Sequence, residues 1–269
     1  MSKQRADALL VARGLVESRS LAQRMVMAGQ VRADGQLVAK PSTMLAPDTV
    51  LELQSLPRFV SRGGEKLLAA FDEFSLDVQD FVCADLGAST GGFTDCLLQH
   101  GAAKIYAIDV GRGQLHWKLR QDERVVVMEK RNAREIMSLP ETIDLVVVDA
   151  SFISLKVLLP VAQSWLKQSG QIVALIKPQF EAGRKEVSRG KGVIREPEVH
   201  RSVIEDVLSF AKERGFILKG LIPSPLRGPK GNVEFLAQLS LEGDPAIDMQ
   251  SMIDRVVPEV ANSSQQSNE

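Results

Sequence analysis

Two charged side chains close runs that are otherwise apolar: Asp149 in LVVVDASFISL and Lys177 in IVALIKPQFE. Each run reads as a buried strand, so both groups are expected at the mouth of a sheet. There a lysine loses hydration unless a carboxylate balances it. Buried lysines of this kind are readily kept partly neutral, and a neutral amine can take a proton. Lys66 in SRGGEKL and Glu234 in KGNVEFLAQL extend the pattern to an alternating Lys, Asp, Lys, Glu set. Such a set suits withdrawal of a proton from a weak nucleophile, with the second lysine stabilising negative charge that develops on oxygen. The competing reading is separate surface ion pairs at unrelated strand ends.

A cofactor pocket is written into VCADLGASTGGF, residues 82–93, where an apolar strand runs into a glycine-rich turn and then a helix. Gly87, Gly91 and Gly92 allow a tight turn and close approach to a ligand, Asp85 closes the strand at the rim, and Ala88, Ser89 and Phe93 complete the turn. Asp109 follows Gly87 by 22 residues, the offset at which a carboxylate reaches both hydroxyls of a bound ribose. Asp109, with Val110 beside it, therefore implies an adenosine-bearing cofactor; the alternative is a helix cap, because Gly111 follows closely. Asn132 and Ala133, in EKRNARE, are placed on the adenine side. The spacing GASTGGF departs from the dinucleotide fingerprint, and no P-loop lysine is present. S-adenosylmethionine, which has no phosphates to cradle, fits better than NAD or ATP.

The elements that must carry these residues alternate between short apolar strands (82–85, 105–109, 125–128, 145–149, 172–176 and 233–239) and helical stretches, the signature of a parallel α/β sheet. In such a sheet the ligand crevice lies at the carboxyl ends of the strands, so residues far apart in sequence converge there. Trp117 is expected to pack on the sheet from a helix, base stacking being the alternative. Cys83 and Cys96 lack metal-ligand spacing and read as buried thiols, and no metal ligands are assigned. Ahead of the sheet, residues 3–12 read as a helix stopped by Gly14. Ser18 or Ser20 caps a second helix ending at Gly29, with Leu21, Met25 and Ala28 on its inner stripe. Asp34-Gly35 then marks a hairpin.

Arg5, Arg13, Arg19, Arg24, Arg32 and Lys40 give this front module several cations for one surface, and guanidinium groups suit phosphates. Arg184, Lys185, Arg189 and Lys191 lie in a Gly-, Lys- and Arg-rich stretch that reads either as a mobile phosphate clamp or as an ordinary solvated connection. The formal net charge of -1 hides this asymmetry: residues 1–60 hold eight Lys/Arg against five Asp/Glu, and residues 242–269 hold one against six. A chain of 269 residues, 44% hydrophobic, accommodates a sizeable domain and a smaller one. With no export signal and no apolar run long enough to span a bilayer, it is placed in the cytoplasm without a membrane partner.

The front segment, with GLVESRSLAQRMVMAGQVRADGQLV, resembles the small RNA-binding domain named after small-subunit ribosomal protein four, although Ala6 and the turn Ala33-Asp34 depart from its usual pattern. The Lys, Asp, Lys, Glu set in this order resembles the FtsJ-like ribose 2′-O-methyltransferases. The combination of both modules resembles the TlyA family, often labelled haemolysin A; SRGGEKL, DLGASTGGFTDCLL, AIDVGRGQLHWKLR, VVVDASFISL, IKPQFE and GNVEFL all look like its motifs. The resemblance implies a Rossmann-like class I methyltransferase sheet, mostly parallel with the last strand antiparallel, behind a small α+β RNA-binding domain. Boundaries are expected at 1–58 for the RNA-binding domain, 59–64 for a linker, 65–243 for the catalytic domain and 244–269 for an acidic, partly disordered tail. That tail includes a helix from Pro245 to about residue 257. The resemblance also implies S-adenosylmethionine as cofactor, cytidine 2′-hydroxyls of ribosomal RNA as substrate, ribosomal subunits as partners, Lys66, Asp149, Lys177 and Glu234 as the catalytic set, and Asp149 as part of the cofactor rim with Gly87, Ser89, Gly91 and Asp109. Oligomeric state stays open.

Two rivals compete. Residues 87–91 also satisfy GxSxG, so Ser89, Asp149 and His200 could form a hydrolase triad, although His200 reads as a solvated residue of a surface helix. The second rival is an RNA-binding protein whose sheet domain has lost activity, against which all four charges of the set are intact.

Overall fold

The computed structural model describes residues 3–53, 58–244 and 248–266, except the side chains of residues 184, 185, 189 and 258–266. The chain divides into two compact units that meet between Arg58 and Phe59.

In the first unit a short strand β1 (Gln4–Arg5) precedes helix α1 (Ala6–Ala12), so the helix starts later than the sequence suggests. Ser18 accepts a hydrogen bond from the Leu21 amide and caps α2 (Arg19–Met27), and Gly29, at φ +72°, ends it. Ala22, Met25 and Val26 are the buried stripe of α2, whereas Ala28, expected inside, is exposed. Asp34 and Gly35 both take positive φ, the mirror-image turn that joins β2 (Val31–Ala33) to β3 (Gln36–Leu37). Strands β4 (Met44–Leu45) and β5 (Leu51–Leu53) pair with β1 and β2 respectively. Ala6, Leu10, Ala22, Met25 and Val31 lie at the centre of this unit's core.

The second unit opens at Phe59. Residues 59–64 are not a linker: Phe59 is buried against Gly64, and α3 (Gly63–Phe74) has already begun. The chain then alternates β6 (Val82–Leu86), α4 (Gly92–Gln99), β7 (Lys104–Asp109), α5 (Trp117–Arg120), β8 (Val125–Glu129), β9 (Ile143–Val148), α6 (Leu155–Trp165) and β10 (Leu166–Ile176). After two short helices, α7 (Pro178–Glu181) and α8 (Arg184–Arg189), come α9 (Pro197–Glu213), β11 (Ile217–Pro223), β12 (Phe235–Ser240) and α10 (Met249–Gln266).

These strands form one seven-stranded sheet in the order β11-β12-β10-β9-β6-β7-β8. All neighbours from β10 to β8 are parallel, and β12 runs antiparallel to both β10 and β11. Leu145, Val146, Val147 and Val148 sit at its centre with at most 1% exposure, each contributing roughly 1.5–3 kcal/mol through burial. Side chains from α6, α9 and α10 cover one face; those from α3, α4 and α5 cover the other. Chain order reverses between β6 and β9, so their carboxyl ends open the crevice in which a doubly wound sheet binds ligands.

Residues 244–269 depart from the expected tail. Asp248, not Asp244, caps α10 by accepting from the Gln250 and Ser251 amides, while Pro245 lies outside the described residues. Met252, Ile253, Val256 and Val257 seat that helix in the core, and residues 262–266, expected to be disordered, continue it. The stretch expected as a mobile loop contains the helix α8.

Candidate active site

The carboxyl ends of β6, β9 and β10, the start of α3 and the approach to β12 line one cavity of about 300 Å³. Lys177, the residue after β10, sends Nζ to Asp149 Oδ1 at 2.6 Å and to Ser151 Oγ at 3.1 Å. Lys66, in the second turn of α3, sends Nζ to Glu234 Oε2 at 2.5 Å. All four line the cavity, and the two lysines are only 7% and 9% exposed. The expected set is therefore assembled, as two lysine–carboxylate pairs, each compensating the desolvation of its own amine.

The glycine-rich turn lies on the same wall, through Gly87, Ala88, Ser89, Gly92 and Phe93. Its glycines are required by packing. A Cβ on Gly87, at φ +84°, would come within 2.9 Å of the Asp149 carbonyl oxygen and the Ala150 Cα; one on Gly91, which does not line the cavity, would strike Leu119 and Leu115. A Cβ on Gly92 would strike Ser61 and the Gly64 amide. The first close approach keeps β6 laced to β9, where the Asp149 amide donates to the Leu86 carbonyl at 3.0 Å.

Asp85 lies fully buried at the cavity floor. Its Oδ2 accepts from Thr94 Oγ1 at 2.6 Å, whereas its Oδ1 has no partner among the described residues. Burial pushes this carboxyl up to about 7 against the pull of the Thr94 hydroxyl. An acceptor of this kind is matched by a ligand ammonium. Asp109 accepts from the Ser89 amide at 2.8 Å and the Gly111 amide at 2.6 Å, so it ties the glycine-rich turn to the loop after β7. Glu129 braces that loop by accepting from the amides of Gly113, Gln114 and Leu115 and from Arg120; these bonds, the Arg120 guanidinium first, hold its carboxyl down to about 2.

Asp109, Val110, Asn132 and Ala133 stand outside the cavity lining. Val110 is 73% exposed, Asn132 caps a 3-10 turn through the Arg134 amide, and Ala133 packs in the core. Sequence reasoning missed Ser61, Arg62, Ser151, Leu226, Arg227 and Pro229, all of which line the cavity. Ser61 and Arg62 lie within the SRGGEKL segment that drew attention to Lys66, and Ser151 lies two residues from Asp149. The stretch from Leu226 to Pro229 carried no signal. Phe152 was passed over as well: it is 91% exposed at φ +64°, with its ring 4.8 Å from that of Phe180.

Two expectations fail outright. His200 is 1% exposed, bonded through Nε2 to the Ile194 carbonyl and set edge-on against Phe235; it does not line the cavity, so no triad with Ser89 exists. Trp117 does not pack on the sheet but stands 66% exposed. Cys83 and Cys96 are buried and are not joined in a disulfide. Among the described residues no group of three or more His, Cys, Asp and Glu could hold a metal ion, and no helix is long and apolar enough to cross a membrane.

In the first unit, Arg5 and Arg19 meet on the buried carboxylate of Asp7, which also takes Gln23. Arg13 is spent on the backbone carbonyls of Pro47 and Thr49, and Arg32 on that of Gly35. Arg24 and Lys40 are exposed, as is Lys191 in the second unit, where the side chains of Arg184, Lys185 and Arg189 lie outside the described residues.

Residues 59–241 match the FtsJ-like methyltransferase family and residues 4–51 match the S4 domain. The chain belongs to the FtsJ-like methyltransferase family. This methyltransferase is 48% identical over 249 residues to "Putative rRNA methyltransferase YqxC" of Bacillus subtilis, covering 90% of this chain and 87% of that one. It is 44% identical over 260 residues to "16S/23S rRNA (cytidine-2'-O)-methyltransferase TlyA" of Mycobacterium tuberculosis, covering 94% and 96%. Among solved structures, "Putative hemolysin from Streptococcus thermophilus" aligns with a TM-score of 0.76 at 44% identity, covering 100% of this chain and 99% of that one.

Proposed function

We propose that this methyltransferase transfers a methyl group from S-adenosylmethionine to the 2′-hydroxyl of cytidine in ribosomal RNA, and that ribosomal subunits in the cytoplasm are its substrate. The observation that carries the reading is the pair of lysine–carboxylate contacts, 2.5 and 2.6 Å long, on one cavity. The S4 domain and the names of the relatives support an RNA substrate.

A ribose hydroxyl attacks poorly until its proton is withdrawn. Lys177, once its amine is neutral, takes that proton at Nζ, while Asp149 and Ser151 hold the amine in line and Asp149 balances the ammonium that forms. Lys66 stabilises negative charge growing on the oxygen, and Glu234 positions Lys66. S-adenosylmethionine, when bound, supplies an electrophilic methyl group on a sulfonium. The residues fit this donor: Asp85 Oδ1 is a buried acceptor that needs an ammonium, and Ser89, Ala88 and Phe93 wall its site. Asp109, Val110, Asn132 and Ala133 are assigned to the adenosine side of the rim with Gly87, Gly91 and Gly92. The rings of Phe152 and Phe180 offer a face to an unstacked base beside Lys177, whose amine lies 5.8 Å from the Phe180 ring centre. Arg5, Arg19, Arg24 and Lys40, with the basic residues 184–191, are assigned to RNA phosphates.

Purified protein incubated with unmodified ribosomal subunits and S-adenosylmethionine should yield 2′-O-methylcytidine when the RNA is digested and analysed by mass spectrometry. A methyl group on the base, or none, would overturn the reading.

A further inference from the structure

Glu234 is gripped from three sides. Its Oε2 takes Lys66 Nζ at 2.5 Å, its Oε1 takes Gln179 Nε2 at 3.0 Å, and Gly228 passes so close that a Cβ there would come 2.6 Å from Oε1. Gln179 lies in the first turn of α7, two residues after Lys177, and stands behind the cavity wall that Lys66, Lys177 and Glu234 form. Its own Oε1 is buried without a partner among the described residues. Turning the amide over would set that oxygen against Glu234 Oε1, two acceptors face to face, so the carboxylate dictates which way the amide points.

We propose that Gln179 is a positioning residue that aims Glu234 at Lys66. This rests on the methyl-transfer reading above. The Gln179 amide holds Oε1 while Oε2 faces the lysine, and the backbone at Gly228 denies the carboxylate room to swing away. Without both restraints Lys66 follows a mobile carboxylate, and its amine is no longer held where negative charge develops.

Gln179→Leu keeps the bulk and removes the donor; its kcat should fall about tenfold, with KM for RNA and for S-adenosylmethionine within about twofold. Gly228→Ala, which crowds Oε1 with Gln179 intact, should show the same split. Gln179→Glu sets a like charge against Glu234 and should lose about a hundredfold in kcat. Wild-type kcat in all three variants, or losses confined to KM, would overturn the proposal. A readout without turnover comes from urea unfolding of Gln179→Leu, Glu234→Gln and the double variant, which should be non-additive. Additive effects would contradict the coupling. A wild-type protein that transfers no methyl group would defeat the functional reading alone, since the unfolding cycle still decides whether Gln179 holds Glu234.

Discussion

In the N-terminal unit the buried carboxylate of Asp7 holds Arg5 and Arg19, whose side chains stay 41% and 56% exposed; at the sheet mouth Asp149 and Glu234 hold lysines whose side chains are 9% and 11% exposed. Both regions fix cations with carboxylates. Guanidinium groups that keep their hydration and cannot lose a proton suit a polyanion, whose contacts are many, exchangeable and weakened by salt. Amines withdrawn from water and paired singly suit one proton transfer, because they can change charge and the site can impose geometry.

Breaking the buried arrangement should cost most. Asp149→Asn leaves Lys177 without its charge partner, and kcat should fall about a hundredfold or more in a tritium-transfer assay while the RNA dissociation constant moves less than about threefold. A comparable loss in RNA affinity would merge the two regions into one binding surface.

Asp85 sharpens the contrast, as a buried carboxylate with no cation beside it. Its folded-state value of about 7 lies above the ordinary 3.8 because burial penalises the charged form. The neutral carboxyl therefore favours folding fully below about pH 4, and that stability is lost as pH rises through about 7. Asp85→Asn should be more stable than the wild type by roughly 2–4 kcal/mol at pH 8, with the difference fading toward pH 4, as read by urea unfolding. A gap independent of pH would contradict this origin.

The smallest effect is expected in the first unit. The Arg5 guanidinium, helped by Gln23 and Arg19, holds the Asp7 carboxyl well below the usual range, so its contribution is complete at neutral pH and lost only on acidification. Asp7→Asn should loosen the two arginines and weaken RNA binding about threefold to tenfold in a filter assay, with kcat at saturating RNA unchanged. Unchanged affinity would make the Asp7 cluster purely structural.

Asp149 and Lys177 of the proposed catalytic set were legible because apolar runs announce strand ends, and a doubly wound sheet gathers those ends in one crevice. Strand β11 was not: ILKGLIP carries a lysine and a glycine within an edge strand, which breaks the apolar run. His200 was misread although it shares the inner stripe of α9 with Val203, Ile204, Val207, Leu208 and Ala211, a periodicity visible in the sequence. Trp117 was misread for the opposite reason, since α5 is a single turn that buries only Leu119. Gln179 and Asp7 gave no signal, because their roles depend on partners brought together by the fold.

The central claim is that Lys177 works by accepting a proton rather than by standing as a fixed charge. Lys177→Arg tests it most directly, because a guanidinium keeps the charge and the Asp149 contact but cannot serve as a base. Tritium transfer should fall at least about 10³-fold, as far as in Lys177→Ala, while calorimetry shows S-adenosylmethionine affinity within about threefold of the wild type. Turnover near the wild-type rate in the arginine variant would contradict the account.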